Sequence, residues 1–307
     1  MELKLTQDSK SNNYVNCEAV QPPIVNLDDT SLEDPVRQGG FLFKTLNDNT
    51  LGKHPGTIML LGAPTGHGKT MYALREAIES IRNGNKRVIY YSTELPADDI
   101  MRRVYSIFGI TDIEAKKAKR EWLKDRFYIV DAPLQDTYVA WLSRSDVDEI
   151  YVDYLDTSMI NAKDAADKSN QTNRIVRALI EFGKLYNKFT LVCAQAKYLE
   201  IGEYTTNSFR DCTAIANAAT IVCLLHRRRP NVDTDINSDY VLDIAKLRDA
   251  YEYACSGTKI YFSYKSIGRS TKLVELGYAN NGEKKEYGVY MEGGKEHFTS
   301  LMPEAGF

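Results

Sequence analysis

Short apolar runs alternate with amphipathic stretches from residue 39 onward, and the hydrophobic period switches between two and 3.6 residues. Runs rich in β-branched and aromatic residues predict strands at 57–61, 87–92, 127–130, 149–152, 189–194, 221–225 and 240–245. Helical spacing predicts helices at 69–82, 97–108, 113–124 and 172–186. This alternation is typical of an α/β domain with a mostly parallel twisted sheet flanked by helices. Two further runs, 259–264 and 271–276 around Gly268, predict a C-terminal β-hairpin.

Residues 1–38 differ in composition from the rest of the chain. They are rich in Asn, Asp and Ser, contain Pro22, Pro23 and Pro35, and have few periodic apolar positions. We therefore expect an extended N-terminal arm or linker at 1–38, followed by one domain at 39–307.

Composition limits the classes of protein that remain. A net charge of −3 is unlike that of a protein that coats nucleic acid by bulk attraction, so any nucleic-acid site must be local. The apolar runs are shorter than a membrane span and no signal peptide precedes them, which indicates a cytoplasmic protein without membrane contact. Five scattered cysteines without a CxxC pair indicate reduced thiols and not a zinc site.

A phosphate-binding loop is the clearest chemical feature of the sequence. The strand 57–61 leads into eight residues that open a helix, and a Lys followed by a Thr ends the loop. Backbone N–H groups of such a loop point at phosphates, the Lys adds positive charge, and the Thr hydroxyl binds Mg²⁺. The usual first Gly is replaced by Ala, with Gly62 just before it. The predicted ATP-binding residues are Ala63, Pro64, Thr65, Gly66, His67, Gly68, Lys69 and Thr70.

Two carboxylates could complete an ATP-hydrolysing site. Asp153 follows the apolar run 149–152 and is predicted to hold Mg²⁺ together with Thr70. Glu94 follows the strand 87–92, which we expect to neighbour the phosphate-loop strand, and it is predicted to orient the attacking water. An exposed Glu at the start of the next helix is the alternative interpretation of Glu94.

Read together, these blocks resemble the C-terminal RecA-like ATPase domain of the DnaB family of replicative helicases. The resemblance runs from about Gly39 to Phe262. The phosphate loop also commonly opens with Ala in that family, Ser92-Thr93-Glu94-Leu95-Pro96 resembles the block with its catalytic Glu, and Val152-Asp153-Tyr154-Leu155 resembles its Walker B block. The order and spacing of the blocks agree as well.

The resemblance implies roles for residues further along the chain. Gln195, in Val192-Cys193-Ala194-Gln195, would sense the γ-phosphate, and Arg210, in Ser208-Phe209-Arg210-Asp211, would contact DNA phosphates. Lys246 and Arg248 would reach across a subunit boundary to the neighbour's γ-phosphate. Their alternation on one strand places them on the same face, with a pair of solvated charges as the alternative interpretation.

Polar segments near the end of the Walker B strand supply further candidate DNA contacts. The segment 157–172 is predicted as a DNA loop or as an ordinary surface loop. The basic run 226–229 is interpreted as a solvated corner, with a binding patch as the alternative. After Asp211 the acidic and Gln positions usual in the family are replaced by the small residues 212–220. The further candidate contacts are Lys163, Lys168 and Lys197.

These features predict an ATP-dependent helicase or translocase on single-stranded DNA, with ATP and Mg²⁺ as cofactors, that acts as a hexameric ring in DNA replication. The resemblance suggests a reduced form from a phage or mobile element, working in the host cytoplasm, and leaves RNA as substrate and a primase or loader as partner open. A RecA-like recombination or packaging ATPase and a nucleotide-gated assembly protein without translocation are the alternatives. We expect the first 38 residues to be too few for the helical amino-terminal domain of the family, so something else must help the ring to close. The family's linker docks on the adjacent subunit, and the resemblance implies that the arm, at Val20 to Val36, can exchange between subunits in the same way.

Overall fold

The computed structural model describes residues 39–50, 52–54, 56–131, 146–155, 186–197, 208–209, 213–227, 238–248, 257–267, 270–280, 283–292 and 295–300, together with 163, 170, 174–175, 178–180 and 183. The chain divides into two units, Met1–Pro35 and Val36–Phe307, and the described residues belong to the second. The predicted arm at 1–38 lies outside the described residues. None of the described helices is long and apolar enough to cross a membrane.

Five helices and eleven strands are assigned in the described part of the chain. The helices are α1 (Lys44–Asp48), α2 (Lys69–Gly84), α3 (Ala97–Phe108), α4 (Ile113–Leu123) and α5 (Thr213–Ala218). The strands are β1 (Ile58–Ala63), β2 (Val88–Ser92), β3 (Phe127–Asp131), β4 (Glu149–Asp153), β5 (Phe189–Gln195), β6 (Ile221–Arg227), β7 (Tyr240–Leu247), β8 (Lys259–Ile267), β9 (Ser270–Asn280), β10 (Glu283–Glu292) and β11 (Lys295–Ser300).

All strands belong to one sheet with the order β11-β10-β9-β8-β7-β6-β1-β5-β4-β2-β3. The strands from β6 to β3 in this order are parallel, and those from β7 to β11 are antiparallel. The predicted α/β fold is therefore confirmed, as a mixed sheet. The predicted hairpin appears as β8 and β9, and β10 and β11 extend it.

The expected position of β2 is wrong. β1 pairs with β5 and β6, so β5 and β4 lie between β1 and β2. The continuous apolar sequence of a buried parallel strand does not indicate which strands it pairs with in the sheet. Of the predicted helix 172–186, the described positions 174–175, 178–180 and 183 are helical, and position 186 lies in a turn.

The central strands are buried on both faces. Alternate residues of β1 point to opposite sides, with Met59 and Leu61 in one apolar cluster and Ile58 and Leu60 in the other. The first cluster packs β1 against the apolar side of α2, and the second includes Leu179. Because both faces are covered, the β1–α2 junction is fixed from two sides.

A buried charge cluster also ties α2 to the sheet. Lys53 is fully buried, and its Nζ lies 3.0 Å from Glu76 Oε1 on α2 and 3.6 Å from Glu149 Oε2 on β4. It also donates to Ser80 Oγ at 2.6 Å, and the hydroxyl of Tyr151 donates to Glu149. Burial acts to lower the pKa of Lys53, but the two carboxylates outweigh it and raise that pKa. The segment before β1 is thus joined to α2 and β4 by ionic contacts shielded from water.

The short helix α1 is capped from far along the chain. The buried carboxylate of Glu275 on β9 accepts the N–H of Lys44 at 2.6 Å and the N–H of Thr45 at 3.2 Å, and it also accepts the Thr45 hydroxyl. A carboxylate at this position satisfies N–H groups that the helix cannot satisfy itself. This contact fastens the C-terminal part of the sheet to the first described segment.

Candidate nucleotide site

The phosphate loop lies between β1 and α2, as its sequence predicts. Gly66 and Gly68 have φ angles of 79° and 90°, which side chains other than Gly rarely adopt. His67 N–H donates to Pro64 O at 3.2 Å, and Tyr72 N–H donates to Gly68 O at 2.9 Å as the first bond of the helix. Residues with positive φ in a turn that opens a helix fit an anion-binding loop of backbone N–H groups.

Ala63 replaces the usual first Gly without disturbing the loop. It is fully buried as the last residue of β1, and its carbonyl accepts the N–H of Ala196 at 3.0 Å. The position that requires Gly for steric reasons is Gly62, one residue earlier. A Cβ there would lie 2.4 Å from Cε1 of Phe209, which is too close for any side chain.

Gln195 reaches the phosphate loop from the neighbouring strand. It pairs with Ala63 at the carboxyl end of β5, and its Nε2 donates to Thr65 Oγ1 at 2.9 Å. The predicted γ-phosphate sensor thus contacts the loop that would hold the phosphates.

Asp153 lies at the same edge of the sheet, as the last residue of β4. It is 3% exposed, its Oδ2 accepts the hydroxyl of Tyr90 at 2.8 Å, and its Oδ1 has no hydrogen-bond partner within the described part of the chain. The thiol of Cys193 is close by, with its pKa raised by burial and then by Asp153. Lys69 Nζ lies 4.8 Å from the ring centroid of Tyr154, the residue after Asp153.

These residues fit a Mg²⁺ ion. A buried carboxylate oxygen without a partner is costly unless a cation or its water shell satisfies it. Asp153 and the hydroxyl of Thr70, at the start of α2, are the residues that would hold the ion, directly or through its water shell. Bound there with ATP, the ion would neutralise charge on the phosphate oxygens.

Glu94 is exposed and follows β2 by two residues. Ser92, the last residue of β2, pairs with Asp153, and Thr93 N–H donates to Asp153 O at 3.0 Å. The turn is closed by Leu95 N–H donating to Ser92 Oγ at 3.2 Å. Glu94 therefore lies at the Asp153 edge although β2 does not touch β1.

Lys246 and Arg248 do not lie at this edge. β7 runs antiparallel to β6, so Tyr240 lies opposite Arg227 near the phosphate loop while Lys246 lies opposite Val222 near the other edge. Lys246 Nζ donates to the carbonyls of Ala216 and Asn217, at 2.8 and 2.7 Å, and Arg248 Nη2 donates to Asn217 O at 2.8 Å. Burial and then Arg248 lower the pKa of Lys246.

The predicted DNA contacts are described only in part. Lys197 is exposed just beyond β5, where its N–H donates to Ser208 O at 2.7 Å, and Lys163 is exposed as well. Arg210 and Lys168 lie outside the described residues. Phe209, directly before Arg210, is buried against Gly62, so this segment touches the strand that leads into the phosphate loop.

Several contacts of the site were not predicted from the sequence. Tyr90 donates its hydroxyl to Asp153, the Tyr154 ring lies beside Lys69 Nζ, and Phe209 packs on Gly62. Tyr154 and Phe209 stand inside blocks that the sequence shows, but neither block indicates these contacts. The partners of Tyr90 and Phe209 depend on strand pairings that link distant parts of the chain.

Comparison with known proteins supports the resemblance stated above. Residues 40–132 match the family described as the DnaB-like helicase C terminal domain, which confirms the predicted resemblance. The matched stretch includes the phosphate loop and Glu94 and ends before Asp153. No curated protein matches the chain.

Solved structures share the fold at low sequence identity. One, titled as a DnaB-like replicative helicase and its interactions with primase, has a TM-score of 0.62 and 18% identity over 76% of this chain, and the match spans 62% of that chain. The ATPase domain of G40P has a TM-score of 0.60 and 18% identity over 77% of this chain and 92% of its own. A KaiC-like protein, PH0186 from Pyrococcus horikoshii OT3, has a TM-score of 0.56 and 20% identity over 79% and 98%. At these identities the likeness establishes a RecA-like fold.

Proposed function

We propose that this chain, whose residues 40–132 match the DnaB-like helicase C terminal domain, is an ATP-driven translocase and helicase on single-stranded DNA that acts as a ring, with six subunits as the expected number. The observation on which the proposal rests is the separation of two halves of an ATP-hydrolysing site. The phosphate loop, Asp153 and Gln195 meet at one edge of the sheet, and Lys246 and Arg248 lie toward the other.

The length of β7 keeps Lys246 and Arg248 too far from the phosphate loop of their own chain to reach a nucleotide bound there. Lys246 lies six positions after Tyr240, and a strand rises about 3.4 Å per residue, so the two residues are about 20 Å apart. A Lys or Arg side chain spans only a fraction of that distance. The pair can therefore serve a γ-phosphate only if that phosphate is bound by another subunit.

A cation supplied by a neighbouring subunit makes hydrolysis depend on assembly. The cation stabilises charge that develops on the oxygens of the transferring phosphoryl group, and such a cation accelerates hydrolysis by about 10³- to 10⁵-fold. Within the holding subunit, Lys69 binds phosphate oxygens, Glu94 orients the attacking water, and Gln195 contacts the loop through Thr65. Arg210, Lys163, Lys168 and Lys197 are the proposed DNA contacts, and each is multiplied by the number of subunits in a ring.

Mixed assemblies test the shared site. Protein with Glu94→Ala keeps the cation pair but not the water-orienting carboxylate, and protein with Arg248→Ala keeps the carboxylate but supplies only half of the pair. Each variant alone is expected to be inactive, and a mixture should recover ATPase activity where the two meet. No recovery at any ratio would refute a site shared between subunits. The control is a double variant that carries Lys69→Ala and Arg248→Ala in one chain. Its mixture with the Glu94→Ala protein should show no hydrolysis, because the hydrolysing subunit has then lost its phosphate-binding Lys.

The fold shared with a KaiC-like protein supports a second candidate, an ATPase that assembles on nucleotide without moving along DNA. ATP hydrolysis stimulated by single-stranded DNA, together with displacement of a strand from a forked substrate, supports the translocase. Slow hydrolysis that ignores DNA, with assembly that follows ATP, supports the second candidate instead. Forked DNA and RNA substrates tailed on one side only would show substrate and direction.

A further inference from the structure

The phosphate loop is held on a second side, away from Gln195, by β6 and β7. The N–H of Arg227, the last residue of β6, donates to His67 Nδ1 at 3.1 Å. A Cβ added to Gly68 would lie 3.8 Å from Cε1 of Tyr240, the first residue of β7, so the Tyr240 ring borders the space beside Gly68. Arg227 and Tyr240 are register partners. One end of the β6–β7 pair therefore contacts the loop at His67 and lies beside it at Gly68.

The other end of the same strand pair holds the cations. Lys246 lies opposite Val222 and Leu247 opposite Ile221, the first residue of β6. Arg248 N–H donates to Thr220 O at 3.0 Å, and Lys246 and Arg248 both donate to the carbonyl of Asn217 just before β6. Lys246 and Arg248 are thus fixed to this end of the β6–β7 strand pair by both backbone and side-chain hydrogen bonds.

The contact at His67 depends on which form of the imidazole is present. Nδ1 can accept the Arg227 N–H only while it is unprotonated. Burial and then the Arg227 charge lower the pKa of His67, which favours the neutral ring. The accepting form is therefore the one that the surroundings stabilise.

We propose that His67 and Tyr240 are positioning residues that connect a subunit's own phosphate loop, through β6 and β7, to the cations which that subunit offers to its neighbour's nucleotide. The inference rests on the proposed function, because it states what regulates the site shared between subunits. A change in the loop when nucleotide binds or leaves shifts the near end of the pair, and ladder hydrogen bonds along β6 and β7 pass the shift to Lys246 and Arg248. Whether nucleotide is bound to a subunit's own loop then changes the rate of hydrolysis at the site that this subunit completes in its neighbour.

The test uses the two-variant mixture, in which only one kind of subunit hydrolyses ATP. His67→Leu removes the acceptor and is placed either in the Glu94→Ala protein, which supplies cations, or in the Arg248→Ala protein, which hydrolyses. In the cation-supplying protein, where its own site is already inactive, His67→Leu is expected to lower the rate of the mixture about 5-fold or more. His67→Asn, whose Oδ1 can accept near the Nδ1 position, should restore most of the rate.

Tyr240 provides an independent variant in the same cation-supplying protein. Tyr240→Leu should lower the mixture rate, and Tyr240→Phe, which keeps the ring, should leave it unchanged. If His67→Leu fails to fold, as judged by circular dichroism, the Tyr240 pair decides the matter. Loss of activity only when these changes are in the hydrolysing subunit would overturn the inference while leaving the shared site intact. If the unsubstituted mixture itself shows no recovery, the proposed function and this inference both fail.

Discussion

The contact between Gly62 and Phe209 predicts the effect of a single added methyl group. In Gly62→Ala the new Cβ would lie 2.4 and 2.7 Å from Cε1 and Cζ of Phe209 and 3.2 Å from Cδ2 of Leu224. The Phe209 ring is 2% exposed, and its backbone is bridged to Ala196, so it has little room to withdraw. The substitution therefore overpacks the core beside the phosphate loop.

Overpacking of this kind costs about 1–3 kcal/mol of unfolding free energy. For a domain of this size, 1 kcal/mol corresponds to about 2–4 °C, so Gly62→Ala should lower Tm by about 2–12 °C. Because Phe209 precedes the proposed DNA contact Arg210, the stimulation of ATPase by single-stranded DNA should fall more than the basal rate.

The double variant with Phe209→Leu separates this cause from a general loss of stability. Leu lacks the outer ring atoms that meet the new methyl, so Gly62→Ala should cost much less in the Phe209→Leu background than in the parent. Thermal unfolding of the four proteins in the cycle measures the coupling. Strict additivity, or a Gly62→Ala protein with the parent's Tm, would refute the close packing of this ring on β1.

Two further predictions concern buried charge. Lys53→Met leaves Glu76 and Glu149 buried without their cation and should lower the free energy of unfolding by about 3–5 kcal/mol in denaturant titrations. Lys44→Met, at the exposed pair with Asp48, should change it by less than about 1 kcal/mol, and similar losses for both would contradict the buried cluster. Burial raises the pKa of Glu275 from 4.5 to about 6, so its contribution to stability is present below about pH 4.5 and is lost as pH rises through 6. The stability of the parent relative to Glu275→Gln should fall by about 2 kcal/mol from pH 4.5 to pH 7, and a flat or rising difference would contradict the assignment.

Local pattern was sufficient for the elements that hold the nucleotide site. β1, α2 and β4 have boundaries within two residues of the predicted ones, because each is a strongly apolar or periodic run with a clear end. The phosphate loop could be predicted since its geometry is encoded in eight consecutive residues. Asp153 follows from its place at the end of a buried strand, and Gln195 follows from the resemblance of residues 192–195 to a DnaB-family block.

Features that join distant parts of the chain could not be predicted in this way. The position of β2 beyond β5 and β4 depends on strand pairing, which the apolar runs leave undetermined. α1 is five residues long and is capped by Glu275, 230 residues away, so its own sequence gives little indication of a helix. Lys53 reads as a surface residue, and only the fold shows that Glu76 and Glu149 surround it.

The placement of the phosphate loop and the Lys246/Arg248 pair at opposite ends of β7 has a numerical consequence for the proposed assembly. In the proposed assembly each head-to-tail interface would complete one hydrolytic site, so an open row of subunits would have one site fewer than it has subunits, and a closed ring would have as many sites as subunits. A single chain would have none. Activity per subunit should therefore rise with protein concentration and level off when the rings close, which makes the rate of ATP hydrolysis a measure of how many interfaces exist.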